Sequence, residues 1–430
     1  MRPWTSVAAA LLALAALACA SPSNDSASDA GWVGTITTEG NVTTVINESG
    51  SVWGGAATLV EELSIGVERG EPEYMLGPPR TLWDAGDRII VPDWSAPTVR
   101  VFDAEGRFVG EIGRGGQGPG EYQRPWSAIP LPDGRIAVSN SQSEWVDLFS
   151  RDLRYLERWE GAWNADRPAG ALPHGLLHLT EDGTLYLSYT QLRRDEGRAV
   201  VRWGWKPIGP LASPAVAVWE PLLDKRRLRN CLNPECTAYA LVPYRPDRAA
   251  TFTPTAAVVS GFSDEYRFAI SARDGTTTVV QRYWDPVMLE EAEWEYWMQR
   301  IRAQGVGSRY SANWRPSWSA EVPRVKPAFV WFHAGRSGRI LVVREGPSRR
   351  VEPCTHDPQP GDREFVACYE STPIWDLFES DGRYLGEVVP PSAPMRPFPF
   401  LDGDRFTMAV DDEAGTIMVK RYRLVPPGER

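Results

Sequence analysis

One phrase recurs along the chain and restricts its fold more than any other feature: a short apolar strand, a tight turn, then a second strand. The turn half reads Gly86-Asp87-Arg88-Ile89-Ile90-Val91, Asp133-Gly134-Arg135-Ile136-Ala137-Val138 and Asp182-Gly183-Thr184-Leu185-Tyr186-Leu187. It returns as Ser337-Gly338-Arg339-Ile340-Leu341-Val342 and Gly403-Asp404-Arg405-Phe406-Thr407-Met408. A companion half follows, as in Val101-Phe102-Asp103-Ala104-Glu105-Gly106, Val146-Asp147-Leu148-Phe149 and Trp375-Asp376-Leu377-Phe378, with a fainter copy at Tyr266–Gly275. Alternating apolar and polar residues around Asp/Gly turns are the signature of antiparallel hairpins. Arg88 and Arg135 are 47 residues apart, and Arg135 and Thr184 are 49 apart. That is the period of a four-stranded propeller blade.

Six units are countable, so the fold expected is all-β: a six-bladed β-propeller over residues 57–430. The last unit shows only three strands before the chain stops, at Pro399–Leu401, Arg405–Val410 and Thr416–Arg421. Residues near Glu61–Val67 repeat the strand that ends the first unit, Ser64-Ile65-Gly66-Val67 paralleling Glu111-Ile112-Gly113-Arg114. They are expected to supply the missing outer strand and close the ring, which removes exposed sheet edges. One helix is expected as an insertion around residues 286–304. Asp285 is placed to cap it and Pro286 suits its first turn, with early Glu and late Arg residues complementing the helix dipole. Its expected place is across the propeller face or rim, as a packed insertion; a lid is the alternative.

The run Val101–Gly106, with Gly110-Glu111-Ile112-Gly113-Arg114-Gly115-Gly116-Gln117-Gly118-Pro119-Gly120-Glu121-Tyr122 and Pro125, resembles an NHL-type repeat. More closely it resembles the exported bacterial six-bladed β-propeller lipoproteins, over about residues 57–424. In NHL repeats an Asp often ends the second strand. Asp93 holds that place in the first unit, whereas Ser139 and Asn140 stand there in the second. The resemblance implies a fold and little about activity.

Residues 1–19 read as an export signal: Arg2, an apolar stretch from Val7 to Ala18, then Cys19. Ala16-Leu17-Ala18-Cys19 resembles a bacterial lipobox, which implies lipidation of Cys19. Ordinary signal-peptidase cleavage at an A-x-A site is the alternative. Residues 20–56, opening with a Ser/Asp/Asn-rich stretch, are expected to be a flexible tether. With Cys19 acylated, four of the five cysteines remain, in two local pairs: Cys231 with Cys236 and Cys354 with Cys368. In an oxidising compartment two disulfides are the economical reading, and neither pair has the CxxC spacing of a zinc site.

Lys and Arg total 46 against 56 Asp and Glu, a net charge of -10 without a basic stripe, which argues against nucleic acid as a partner. Gly113, Gly115 and Gly118 fit G-x-G-x-x-G, but Pro119, Gly120 and Pro125 forbid the helix a dinucleotide site requires. These glycines read as turns between blades. Metal sites and catalytic residues are not assigned; a Ca²⁺ or other divalent ion in the channel is the alternative to no cofactor. Of the 19 Trp, most are expected to pack between blades, while Trp94 and Trp126 at loop ends are candidates for a ligand face. His174 and His178 join them, because spacing i, i+4 puts both on one face of a strand.

The function expected is a cell-envelope lipoprotein whose propeller binds or scaffolds a protein or glycan. A metal-dependent lyase or lactone hydrolase is one alternative, and a carbohydrate-binding module of an envelope transport system is another. The expected protein is a monomer, exported and anchored in the outer membrane by its lipid alone, or else periplasmic or extracellular.

Overall fold

The computed structural model describes residues 31–429 apart from 94, 142–144, 160–170, 196–197, 210–215, 222–227, 230–238, 241, 305–321, 353, 355–367, 391–398 and 413. Cys19, Cys231, Cys236 and Trp94 lie outside the described residues.

Twenty-four of the described strands form six blades of four antiparallel strands each. Blade 1 comprises Trp83–Asp84, Arg88–Asp93, Thr98–Asp103 and Phe108–Ile112, from the axis outward. Blade 2 comprises Pro125–Pro130, Ile136–Asn140, Val146–Phe149 and Tyr155–Trp159. Blade 3 is built from Ala171–Leu179, Leu185–Asp195, Arg198–Ile208 and Val216–Pro221. Blade 4 is built from Arg248–Phe252, Val258–Phe262, Arg267–Ser271 and Thr277–Arg282. Blade 5 takes Trp331–Ala334, Ile340–Arg350, Tyr369–Phe378 and Tyr384–Val389. Blade 6 takes Phe400–Asp402, Arg405–Asp411 and Ile417–Val425, and its outer strand is Ala57–Ile65 from the other end of the chain.

The closing strand pairs antiparallel with Ile417–Val425, in register from Thr58↔Val425 to Ile65↔Val419. Its first residues also pair parallel with blade 5, Ala57 with Val388 and Thr58 with Val389, so blades 5 and 6 share one eight-stranded sheet.

Side chains alternate between the two faces of each blade, so every second residue enters the next interface. In blade 1, Ile89 and Val91 pack with Ala409 and Val419 of blade 6, whereas Ile90 packs with Ala128 and Val138 of blade 2. Trp375 fills the blade 5–6 interface and Trp205 the blade 3–4 interface, as expected of aromatics that bury much area per residue. The seam between blades 6 and 1 carries a buried ion pair as well. Arg421 donates to both oxygens of Asp84, at 2.7 and 2.9 Å, and the Thr407 hydroxyl donates to Asp84 at 2.7 Å.

Asp93 accepts from the backbone N–H of Gly77, 16 residues earlier, tying its strand to the chain that enters blade 1. Asn140 does the same for Arg124 in blade 2, and Ser263 for Asp247 in blade 4, each again 16 residues back. The side chains differ, but a carboxylate, an amide and a hydroxyl all offer the acceptor oxygen the turn requires. Gly113 belongs to the blade 1–2 connection, with φ +79°, and a Cβ there would sit 2.4 Å from the Tyr122 ring. Its place in a turn agrees with the sequence reading.

Two expectations need correction. The span 20–56 is not a tether throughout: Val33–Glu39 and Val42–Ser49 form a hairpin whose second strand pairs parallel with the outer strand of blade 4. Buried Asn47 secures it, accepting from Trp32 Nε1 at 2.7 Å and Tyr384 N at 2.8 Å while donating to the Gln281 and Gly382 carbonyls. The Thr/Val/Ile alternation of this stretch is a strand signal that its polar residues obscured. The helix, expected from 286, runs Glu291–Gln304 instead. Val287 and Leu289 form backbone hydrogen bonds with Lys326 and Arg324, so extended pairing replaces the first turn and Asp285 caps nothing.

The helix is a packed insertion. Leu289, Trp297 and Met298 cluster with Val322, and Glu293 accepts from Tyr244 (2.6 Å) and Ser348 (2.7 Å). Buried Lys326 completes the polar contact, donating to Ser348, Ser371 and the Gly346 carbonyl. Ser348 and Ser371 lie on the long hairpin of blade 5, beside the Cys354–Cys368 disulfide, which forms as expected.

Removing a carboxylate from a buried pair leaves its cation stranded and costs about 3–5 kcal/mol. Asp84→Ala is therefore expected to lower unfolding free energy by about 3 kcal/mol or more in chemical denaturation. Arg107→Ala, which removes the exposed Arg107–Asp103 pair, is expected to leave the unfolding transition nearly unchanged. Equal losses would contradict a seam sealed by Asp84.

Candidate functional site: the central channel

The inner strands of all six blades run side by side around the axis, and their inward side chains enclose a cavity of about 370 Å³. The register of each inner hairpin places one residue per blade at the same level. The hairpins close with Leu131–Arg135, Thr180–Thr184, Thr253–Ala257 and Gly335–Arg339 in blades 2 to 5, and Ala85–Arg88 in blade 1. Asp402 opposite Arg405 is the equivalent in blade 6. Two residues before each of these turns, the strand's alternation returns to the axis. Trp83, Ile129, His178, Thr251, His333 and Phe400 stand there, and all six line the cavity. Trp83 and Phe400, from the first and last blades, meet with ring centroids 5.2 Å apart.

Around this ring the wall is apolar, with Leu177, Leu179, Phe252, Ala334 and Leu401. Two arginines enter it. Arg336, just beyond the inner strand of blade 5, lies over the Trp83 ring at 4.9 Å, and Arg80, just before that of blade 1, lies over Trp126 at 5.5 Å. Asp and Glu do not occur among the described lining residues.

His178 packs edge-on against Phe252 and Trp205, and its Nε2 is sheltered with no protein partner. Burial drives its pKa down to about 3, with a further push from His333. Burial alone brings His333 to about 4. Charging either imidazole in this apolar wall is costly, so both are neutral near pH 7.

Of the residues singled out from sequence, Trp126 and His178 line the channel. His174 does not: it is exposed and its Nε2 sits 2.9 Å from the Thr190 hydroxyl. The reason is an irregularity between Pro173 and Leu177, where three residues of the inner strand face one of its partner. Gly175 there has φ +79°, so the simple alternation that would align the two histidines is broken. His333, from the inner strand of blade 5, lines the same cavity as His178, and sequence reasoning missed it together with Trp83, Trp331, Arg80 and Arg336. The signal was present: His178 and His333 both stand six residues before the third residue of their turn phrase, Thr184 or Arg339. Among the described residues no group of three or more His, Cys, Asp or Glu is placed to hold a metal ion.

A closed ring of six four-stranded blades about a lined channel defines the protein as a six-bladed β-propeller. Residues 71–130 match the family DUF5128, described as a 6-bladed beta-propeller. Solved structures similar to the chain include a protein of Bacteroides fragilis described as exported, at 9% identity and TM-score 0.45, covering 89% of this chain and 99% of that one. A DUF4221 family member from Bacteroides vulgatus gives 9% identity and TM-score 0.42 over 86% of this chain and 99% of its own. A calcium-binding regucalcin from Agrobacterium tumefaciens gives 12% identity and TM-score 0.37, covering 86% and 97%. No curated protein matches the sequence.

The two histidines make stability depend on pH. Their folded pKa values, about 3 and about 4, lie below the ordinary 6.5, so between these limits the unfolded chain binds more protons. Their contribution is fully present above pH 6.5 and is lost as the pH falls toward 4 and below. The His178→Phe, His333→Phe double variant is expected to lose less Tm than the parent between pH 7 and pH 4. Thermal melts at the two pH values test this, and parallel losses would contradict it.

Proposed function

We propose that the protein is an exported propeller, anchored to the outer envelope membrane through Cys19, whose channel binds a small and largely apolar ligand. The observation that carries this reading is the ring Trp83, Ile129, His178, Thr251, His333 and Phe400, apolar or neutral around its whole circumference. Its volume of about 370 Å³ falls within the range of small-molecule sites, which are lined mainly by apolar and aromatic side chains with few polar groups. A divalent ion takes carboxylate and carbonyl oxygens, or several imidazoles at close range. The described wall offers two histidines and no carboxylate, which favours a binding module over a metal-dependent lyase or lactone hydrolase. Trp83, Trp126 and Trp331 could stack on a sugar, but Ile129, Leu177, Leu179, Phe252, Phe400 and Leu401 offer its hydroxyls no partners, so an apolar body fits better than a glycan. The export signal, the lipobox-like Ala16–Cys19 and the Cys354–Cys368 disulfide support an oxidising compartment outside the cytoplasm.

The neutral dye N-phenyl-1-naphthylamine, whose fluorescence rises in apolar surroundings, is expected to bind the purified protein. Thr251→Trp fills the channel and is expected to weaken that binding about tenfold, some 1.4 kcal/mol, while the melt stays cooperative. No fluorescence gain with the parent protein would sink the reading.

For the anchor, Cys19→Ala is expected to shift the protein from the membrane fraction to the released fraction of a bacterial expression host. Retention in the membrane fraction would refute lipidation at Cys19.

A further inference from the structure

Charge is distributed unevenly in this molecule. The chain carries a net charge of -10, yet the charged side chains among the described channel-lining residues are both cationic, Arg80 and Arg336. Elsewhere, three largely covered arginines meet carboxylates. Arg158 pairs with Asp147 at 2.6 Å, Arg344 with Asp376 at 2.6 Å and Arg421 with Asp84 at 2.7 Å.

Arg336 departs from that pattern. Its backbone is held by the Leu401 carbonyl at 2.8 Å, and its guanidinium lies over Trp83, a member of the channel ring. Its Nη1 is sheltered from solvent and meets no protein acceptor. An arginine keeps its charge throughout the accessible pH range, so this N–H cannot be relieved by deprotonation. A sheltered donor without an acceptor costs about 1–3 kcal/mol, and more when it is charged. The Trp83 ring face recovers part of that cost. An oxyanion in the channel would do so more completely, through a charge-assisted hydrogen bond made once the guanidinium turns its covered Nη1 toward the cavity that Arg336 lines.

We infer that the channel selects an amphiphilic monoanion: a carboxylate on an aromatic or acyl body, with the body inside the apolar ring and the carboxylate on Arg336. This rests on the reading of the channel as an apolar ligand site and adds the ligand's charge and the residue that recognises it. Arg336 acts here in specificity: it distinguishes an acid from the matching hydrocarbon or amine. Arg80, stacked on Trp126, lines the same cavity.

N-phenylanthranilate and diphenylamine share the same two rings and differ by one carboxylate, so they isolate the charge. Each is titrated against the protein with N-phenyl-1-naphthylamine bound, and displacement is read by fluorescence. N-phenylanthranilate is expected to displace the dye at a concentration about tenfold or more below that of diphenylamine, as one charge-assisted hydrogen bond would give. Arg336→Gln is expected to bring the two within about twofold while dye binding is kept, and Arg336→Lys to keep a preference of about threefold or more. Retained dye binding shows that each variant is folded and its channel intact. Equal potency of the two compounds on the parent protein overturns the inference, as does an undiminished preference in Arg336→Gln. Both results leave the apolar-ligand reading standing, whereas failure of the dye to bind overturns the two together.

Discussion

Pairing of Ala57–Ile65 with Ile417–Val425 closes the ring, and the rest of the structure depends on that closure. Strands far apart in the sequence complete one blade, so the ring is closed only when both are in place. An unclosed ring would expose the edge of Ile417–Val425 and the face of blade 1 that carries Ile89 and Val91. Closure also brings Arg421 onto Asp84, a bidentate contact between the third strand of the last blade and the inner strand of the first. The channel inherits its shape from this seam, because Trp83 and Phe400, which meet across it, form one side of the ring.

Carboxylates and cations are sorted by the same architecture. Asp84, Asp147 and Asp376 are buried within and between blades, each held by arginine. Asp376 alone receives Tyr266, Tyr384, Arg282 and Arg344. Acidic groups satisfied in this way rigidify the wheel and take no part in the channel wall. The axis is left with aromatic and aliphatic side chains, two neutral imidazoles and two arginines lying over tryptophan rings. Such a wall suits an apolar body with a negative end.

The architecture was legible in sequence because it is periodic. The turn phrases fix the hairpins, and the likeness of Ser64–Val67 to Glu111–Arg114 located the closing strand correctly. Blade 4, whose phrase is faint, forms all the same, and Ser263 supplies there the acceptor oxygen that Asp93 supplies in blade 1. Less was legible where tertiary contacts override local pattern. The hairpin at Val33–Ser49 follows a polar leader, and the sheet it joins is supplied by blade 4, more than 200 residues away. The helix lost its expected first turn to pairing between Val287–Leu289 and Arg324–Lys326.

The channel was half legible. His178 and Trp126 were found by residue type, and His174 was misplaced by a strand irregularity that spacing cannot reveal. Arg336 escaped because it directly precedes a turn phrase, where an arginine is unremarkable on local grounds. Its significance comes from what surrounds it in space, the Trp83 ring and an unfilled hydrogen-bond direction. A crystal structure with N-phenylanthranilate bound tests the channel site most directly. The expected result is density for the two rings within the circle formed by Trp83, Ile129, His178, Thr251, His333 and Phe400, with the carboxylate against Arg336. Density for the compound on the outer rim or between blades, with the channel unaltered, would contradict it.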